Sequence, residues 1–210
     1  MVFGWGKKKE SPEPEESHHQ KQINLSDVSK IIQQTLELRR SQTLTEIKLL
    51  RNSTEPLIQE LVLIGDTLEK DNLQVDEIDK HLGIIVVRGK QQVIDMIKKD
   101  ATSLPDIASF DDAENLNLML HQMLKKIGDV LGRQTRVIHI FAKKYAEKLK
   151  EILVQMNSNH AEIQKLLKNY NHTKSTHDEI LNSLNEIDNL KINIKKKEQR
   201  TVEIHILIDS

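Results

Sequence analysis

The chain has 210 residues, and its 31 lysines and arginines almost balance its 32 aspartates and glutamates. This balance removes the overall field that would draw the whole protein to nucleic acid or anionic lipid, so any electrostatic binding must be local. The sequence contains no cysteine, which excludes disulfides, thiolate metal sites and cysteine catalysis and fits a cytoplasmic protein best.

Composition also favours one fold class. Charged residues make up 30% of the chain and aromatic residues 3%, a profile typical of long helices. The hydrophobic fraction of 37% is enough for an apolar seam but low for a thick globular core. We therefore expect an all-α fold over residues 23–200, an elongated antiparallel helical bundle or coiled coil of long bent helices.

Residues 1–22 combine an aromatic start with a polar, flexible tract. Aromatic rings suit the headgroup boundary of a membrane, and cations suit anionic lipid. This tail therefore predicts a weak, reversible membrane hook; the alternative is a solvated start without a role. No window approaches the ~18 apolar residues of a membrane span, and apolar residues precede the lysines, the reverse of a secretory signal. The hook residues are Val2, Phe3, Trp5, Lys7, Lys8 and Lys9.

An apolar seam in steps of three and four runs from Ile47 to Leu68. The seam passes Pro56 without losing phase. If Pro56 ended the helix, nothing would keep the apolar residues after it in register with those before it. The pattern therefore predicts one helix bent at Pro56 or two nearly collinear helices.

Gly83 and Gly89 bracket a run of aliphatic residues at 84–87, in a pattern that turns Leu82 and Ile85 inward. The run could form a buried strand. No second strand is predicted nearby, however, and a lone strand is not stable, so we expect a helix whose glycines mark close contact with a neighbour.

The segment from Ser109 to Tyr170 contains no proline and keeps an apolar seam in steps of three and four. We expect one helix here, which at 1.5 Å per residue would form a rod of roughly 90 Å. Two successive steps of four near Tyr145 predict a local change of supercoil winding, and a second apolar stripe predicts three or more packed helices. The polar stretch 169–176 predicts a hinge before a final helix.

Residues 201–210 change period, because apolar and polar residues alternate there. Alternation predicts a short C-terminal strand, which could add to a sheet edge of a partner or of a second copy. The alternative is a continuation of the preceding helix. The apolar positions of this partner tail are Val202, Ile204, Ile206 and Ile208.

A search for catalytic and metal-binding motifs finds none. Gly83 and Gly89 stand one residue too far apart for a phosphate-binding loop, and Gln91 replaces its hydroxyl residue. No two histidines between His121 and His177 are three or four residues apart, the spacing that puts two metal ligands on one helix face. We therefore expect a protein that is not an enzyme, with no cofactor and no small-molecule substrate.

Residues 125–150 carry eight basic side chains and two acidic ones. The excess predicts a binding face for phosphates, of lipid or, with less support, of nucleic acid. The alternative is a solvated helix whose charges pair with acidic residues of the antiparallel first helix, such as Glu60, Asp66 and Glu69. The basic patch is Lys125, Lys126, Arg133, Arg136, Lys143, Lys144, Lys148 and Lys150.

Three stretches carry a family resemblance: Gln122-Met-Leu-Lys-Lys-Ile-Gly-Asp-Val-Leu-Gly-Arg, Arg136-Val-Ile-His-Ile-Phe-Ala-Lys-Lys-Tyr and Val86-Val-Arg-Gly-Lys-Gln. In them the chain resembles an archaeal coiled-coil family whose members are often labelled SbcC-type exonuclease subunits. The resemblance implies no nuclease activity, because the ATPase motifs that the label requires are absent and long coiled coils attract the label by composition.

In shape, three long bent helices with a hook and a basic patch resemble BAR domains, which are curved dimeric membrane scaffolds. ESCRT-III-type proteins share the size and the hook but pair a basic first half with an acidic second half, whereas both halves here are close to neutral. The leading hypothesis is a homodimeric scaffold at the inner face of the cell membrane. The alternatives are an accessory coiled coil in DNA processing or chromosome organisation, and an ESCRT-III-like or cytoskeletal assembly adaptor that uses the tail.

Overall fold

A computed structural model describes residues 25–208, which are helical apart from short connections. This confirms the all-α prediction, and the described residues contain no strand. In chain order they form α1 (Leu25–Lys70), a 3-10 turn (Val75–Glu77), α2 (Lys80–Asp100), α3 (Phe110–Arg133), α4 (Thr135–Phe141) and α5 (Lys143–Ile208).

Helices α1, α2, α3 and α5 form an up-down-up-down bundle, in which α1 and α3 each pack against both α2 and α5. Cross-helix contacts fix the antiparallel order of α3 and α5. Phe110 at the start of α3 stacks on Tyr170 with 3.9 Å between ring centroids, and His121 lies beside His160. The helix order is therefore that of a simple bundle with short connections.

The core contains the seam that the sequence predicts along α1. Leu61 and Leu68 are fully buried, and so is Thr54 beside Pro56. α1 continues through Pro56 as one helix, and Asn159 of α5 donates from Nδ2 to Thr54 Oγ1 at 2.9 Å. From the other side, α3 and α5 contribute the buried residues Leu116, Leu120, Ile127, Leu149, Met156 and Ile163.

The connection from α2 to α3, residues 101–109, lies against α1 in a non-helical conformation. The buried side chains Leu104 and Ile107 anchor it. Arg51 of α1 donates from Nη2 to the Leu104 carbonyl at 2.6 Å, and Glu55 accepts the Leu104 N–H at 3.1 Å. At the end of this connection Ser109 caps α3, because its hydroxyl accepts the Asp112 N–H.

The expected single helix from Ser109 to Tyr170 is wrong. α3 ends at Arg133, α4 packs against α2, α3 and α5, and α5 then runs antiparallel to α3. The first of the two steps of four near Tyr145, from Phe141 to Tyr145, crosses the break between α4 and α5. Two antiparallel helices that face one core carry the same apolar spacing as one long helix, so spacing alone does not reveal the turn.

α5 supplies the length that was expected of the central segment. Its 66 residues give a helix of about 100 Å, and it passes without a break through residues 169–176, where a hinge was expected. Val202 to Ile208 continue α5, so at these positions the tail follows the alternative prediction, continuation of the preceding helix, and not the possible strand. Alternation over so few residues is weak support for a strand when no breaker separates them from a helix.

α1 and α5 extend past the bundle as a two-helix arm formed by residues 25–42 and about 170–188. Half-buried positions such as Leu36 and Leu181 lie along it, and Arg39 lies near Thr173. The same register places Leu25 opposite about Asp188, so residues 189–208 project beyond α1; we call them the overhang. The bundle thus has two long helices, α1 and α5, and two shorter ones of 21 and 24 residues. The comparison with BAR domains assumed three long helices.

Candidate functional site

The basic patch lies near the end of the bundle where α3 reverses into α5, and not in the middle of a rod. Two of its lysines pair with acidic residues outside their own helices. Lys126 Nζ lies 2.6 Å from an Asp100 carboxylate oxygen, and Lys144 Nζ lies 2.7 Å from Asp71 Oδ2. The partner of Lys144 is therefore Asp71, the residue that follows α1, whereas Glu69 of α1 pairs with Lys98 at 2.7 Å.

Asp71 joins the connection after α1 to the start of α5 at this end of the bundle. Its Oδ2 also accepts the Tyr145 hydroxyl at 2.7 Å, and its Oδ1 accepts the Leu73 N–H at 2.9 Å. The hydrogen bond from Lys144 lowers the pKa of Asp71 most, with the Leu73 and Tyr145 bonds adding to it. Burial raises the pKa of Tyr145. These contacts hold the start of α5 against the end of α1, so Lys144 has a structural role.

The remaining cations do not share one face. On α5, Lys144 and Lys148 are one turn apart on one side, whereas Lys143 and Lys150 are two turns apart on another. Among the described residues, no acidic side chain pairs with Lys125, Arg136, Lys148 or Lys150. Lys150 also lines a cavity of about 290 Å³ between α3, α4 and α5, together with Leu131, Gly132, His139, Leu153 and Val154.

An apolar groove lies on the outer side of α2, at the same end of the bundle. We call it the α2 groove; its volume is about 750 Å³. Ile84 and Val87 on its floor are 54% and 48% exposed. Asp76 lies at its border, as do Lys80 and Arg88. Its apolar lining is Val75, Ile78, Ile84 and Val87, with Gly83 and Gln91 beside them.

The sequence pattern missed this groove because it turned Leu82 and Ile85 inward, whereas both are exposed. The buried residue of the run is Val86, followed by Val93 and Ile97. The signal was present in the aliphatic run at 84–87. Four successive helical residues point around most of the helix, so at least one must face outward unless the helix is buried on all sides.

The two glycines that flank the run mark close contacts, as expected. A Cβ on Gly89 would lie 3.0 Å from Val137 Cγ1 of α4, and a Cβ on Gly83 would lie 3.0 Å from Val75 Cγ1. Gly89 therefore allows α2 to lie close to α4. Gly83 allows the 3-10 turn that borders the α2 groove to lie close to α2.

The overhang is the second apolar surface, and it lies at the opposite end of the molecule. All residues from 185 to 208 are exposed. Ile204 and Ile208 are 54% and 73% exposed and lie one turn apart on one side of the helix, and Val202 and Ile206 form a second such pair. The tail residues singled out by the sequence thus lie together on a helix, in two pairs and not along a strand edge.

A polar cluster lies between α3 and α5. The rings of His121 and His160 have centroids 5.7 Å apart. Burial, and next the neighbouring His121, lowers the pKa of His160. In the described part of the chain, His160 Nε2 and Asn117 Oδ1 are buried without a hydrogen-bond partner, and no group of three metal-ligating His, Cys, Asp or Glu side chains occurs.

The hook residues Val2, Phe3, Trp5, Lys7, Lys8 and Lys9 lie outside the described residues. Within residues 25–208, no helix has a stretch apolar and long enough to cross a bilayer. No protein-family model, no curated protein and no solved structure matches this chain.

Proposed function

We propose that the protein is a non-enzymatic helical scaffold that associates with other copies of itself through the overhang. One observation carries this proposal: a 66-residue helix continues for about 20 residues beyond its α1 partner. In proteins most of the stability of a helix comes from packing of its apolar face, which the overhang lacks within the described chain. The overhang contains five isoleucines, which are weaker helix formers, so burial against a partner would stabilise it.

Sedimentation velocity over a wide concentration range tests the proposal on the full chain. We expect the average mass to rise with concentration, and the substitution pair Ile204→Asp and Ile208→Asp to hold the chain as a monomer. The matched control is Leu118→Asp, since Leu118 is exposed to a similar extent on α3. A wild-type chain that stays monomeric at the highest concentration would rule out self-association.

A second candidate function is attachment to an anionic membrane surface at the inner face of the cell membrane. Lys150 lines the cavity between α3, α4 and α5, where Leu153 is half-buried and Val154 exposed. Lys143 lies two turns before Lys150 on the same side of α5. Cations next to exposed aliphatic side chains suit anionic lipid headgroups and the first carbons of their chains. The hook would add a second contact with the same membrane.

Co-sedimentation with vesicles that contain phosphatidylserine tests this candidate. We expect binding that Lys143→Glu with Lys150→Glu abolishes, and that Lys168→Glu with Lys174→Glu on the arm leaves unchanged. Deletion of residues 1–9 measures the contribution of the hook. Binding to duplex DNA that falls steeply with salt, with none to the vesicles, would support the DNA-processing alternative instead.

A further inference from the structure

We infer that the α2 groove binds a single anionic amphiphile, a molecule with an aliphatic body and a carboxylate or similar anionic headgroup. The groove follows α2 from Lys80 to Gln91, which is about 18 Å of helix, and the 3-10 turn lies beside it. Its volume of about 750 Å³ falls within the range of roughly 300–1,000 Å³ that is usual for pockets that bind small ligands. The site is separate from the overhang, so the inference does not depend on the proposed self-association.

The groove offers an apolar surface for the body of such a ligand. Ile84 and Val87 form its floor and remain about half exposed to solvent. Val75 and Ile78 of the turn are half-buried and form a wall beside this floor. The wall lies close to the helix, because a Cβ on Gly83 would be 3.0 Å from Val75 Cγ1. An aliphatic chain laid along floor and wall would remove these side chains from water.

The charges on the groove determine the sign of the headgroup. Lys80 and Arg88 both line the groove, and Ile84 lies between them, four residues from each. Among the residues that the structure describes, no acidic side chain pairs with either cation. The acidic residue in the described lining, Asp76, already accepts a hydrogen bond from Asn72 Nδ2 at 2.6 Å. Two unpaired cations beside apolar surface therefore favour an anion.

Arg88 is the better partner for a carboxylate. Its guanidinium can donate two parallel hydrogen bonds to the two oxygens of a carboxylate, which an ammonium cannot do. With the headgroup on Arg88, the chain would lie over Ile84 and Val87 toward the turn. Lys80 stands at the far end, about 12 Å along α2, where its aliphatic stem can cover the end of the chain.

The surroundings favour one bound molecule over a membrane surface. Residues 71–79, which include the turn, contain four acidic side chains and no lysine or arginine, and Glu77 and Asp79 are exposed. A planar anionic bilayer placed on the groove would bring its headgroups against this acidic segment as well, and like charges repel. The headgroup of a single amphiphile can bind Arg88, away from the acidic segment.

Two other surfaces combine aliphatic side chains with cations, and both suit this ligand less well. The cavity beside Lys150 has a volume of about 290 Å³, at the lower limit of the usual range. The overhang is a single helix whose residues are all exposed, so it provides no second wall. Both surfaces serve as controls for the α2 groove.

Titration calorimetry of the full chain with decanoate tests the inference. We expect saturable binding of one decanoate per chain at neutral pH. Affinity should rise from octanoate to dodecanoate, by up to about fourfold for each methylene that leaves water. The matched control is decyltrimethylammonium, which has the same chain with a cationic headgroup and should not bind. Equal affinity for the two headgroups, or no binding of decanoate, would overturn the inference.

Substitutions in α2 test which residues form the site. We expect Arg88→Glu to weaken decanoate binding about tenfold or more, because repulsion replaces a charge-assisted hydrogen bond, and Ile84→Asp to abolish it. Both side chains are exposed, and circular dichroism checks that the variants are folded. Lys99→Glu is the control, since Lys99 is an exposed lysine of the same helix. An equal loss of affinity in that variant would contradict a specific role of Arg88.

Two further measurements determine where the ligand binds and in what form. Nuclear magnetic resonance with decanoate should shift amide signals of residues 75–91, and the variants Lys150→Glu and Ile204→Asp with Ile208→Asp should bind as the wild type does. Shifts centred on Lys150 or on the overhang would overturn the inference. The same holds if the wild type binds vesicles that contain phosphatidylserine, loses this binding with Arg88→Glu, and does not bind free decanoate. The groove would then receive a bilayer.

Discussion

At the scale of single residues, the contacts of Asp71 explain how the start of α5 is held against the connection that follows α1. One carboxylate accepts hydrogen bonds from the Lys144 ammonium, the Tyr145 hydroxyl and the Leu73 N–H. Hydrogen bonds that involve a charged group are roughly twice as strong as neutral ones. A lysine that looks in the sequence like part of a ligand-binding patch is thus part of the fold.

We expect Asp71→Asn to lower the free energy of unfolding by about 2 kcal/mol, because the bonds to Asp71 are charge-assisted. The pKa of Asp71 is lowered in the folded chain. Its stabilisation is therefore complete above the ordinary aspartate pKa of 3.8 and is lost as the pH falls below that value. Urea unfolding of both proteins at several pH values measures the difference, which should shrink in acid. A difference that is constant with pH would contradict the assignment.

His160 makes a second pH-dependent contribution to the stability of the fold. It does so as a base, whereas Asp71 is an acid. Its pKa is lowered in the folded chain by burial and by His121, so below the ordinary histidine pKa of 6.5 the unfolded chain binds a proton more readily. Stability should fall as the pH drops below 6.5, by at most about 1.4 kcal/mol per pH unit from this group.

We expect His160→Gln to remove that part of the pH dependence. The measurement is the difference in unfolding free energy between wild type and variant, followed from neutral pH to about pH 5, where the two curves should converge or cross. His172→Gln is the control, since His172 is an exposed histidine on the same helix. An equal change of pH dependence in the control would show that burial of His160 is not the cause.

At the scale of helices, the glycines of the bundle divide into contact positions and open positions. A Cβ on Gly89 would lie 2.7 Å from Gln134 Oε1 and 3.2 Å from Val137 Cβ, whereas a Cβ on Gly128 would meet no atom within 4 Å. Gln134 is itself held by a hydrogen bond from its Nε2 to Gln92 Oε1 at 2.7 Å. The same substitution should therefore have opposite effects at the two positions.

We expect Gly128→Ala to stabilise the protein by about 0.5–1 kcal/mol, because alanine favours the helix. Gly89→Ala gains the same helix propensity but forces α2 and α4 apart, and overpacking costs about 1–3 kcal/mol, so we expect a net loss of about 1 kcal/mol. Thermal unfolding followed by circular dichroism compares the two. Equal stabilisation by both substitutions would contradict the close approach of α4 to α2.

The helices also show what could be predicted from the sequence. The seam of α1 was read correctly through Pro56, because steps of three and four report which face of a helix is buried. The reversal at residues 134–142 could not be read in this way, since it depends on α4 packing against α2 through Gly89 and Val137. That contact joins distant parts of the chain and leaves no trace in local spacing.

The surfaces were predictable in part. The overhang residues were found as an apolar set, although with the wrong secondary structure. The basic patch was found as a charge excess, but pairing with Asp71 and Asp100 depends on which helices become neighbours. The α2 groove needs the 3-10 turn with Val75 and Ile78 beside α2, and nothing in the local pattern gives the position of that turn.

At the scale of the whole molecule, buried packing is confined to one part of α5. Its last buried residue is Leu167, and the arm beyond it is at most half-buried in the described chain. A chain that ends after Asp188 should therefore unfold with a free energy within about 0.5 kcal/mol of wild type, as expected for changes away from the core. The helical circular dichroism signal should fall in proportion to the number of helical residues that the missing overhang contained.

The measurement is chemical unfolding at low protein concentration, where self-association is absent. At high concentration the truncated chain should remain monomeric, which links this experiment to the proposed scaffold function. A large loss of stability in the dilute truncated chain would mean that the overhang belongs to the folding unit of the bundle, and the overhang could not then be treated as a separable docking element.

The continuity of α5 has a mechanical consequence. The same unbroken helix forms one wall of the bundle and the overhang, and it lies antiparallel to α1 over the length of α1. A pull on the overhang along the helix axis would load the contacts between α5 and α1 in shear, all of them at once, and would not peel them apart one after another. A chain of copies joined through their overhangs would therefore carry tension from one copy to the next through this single helix.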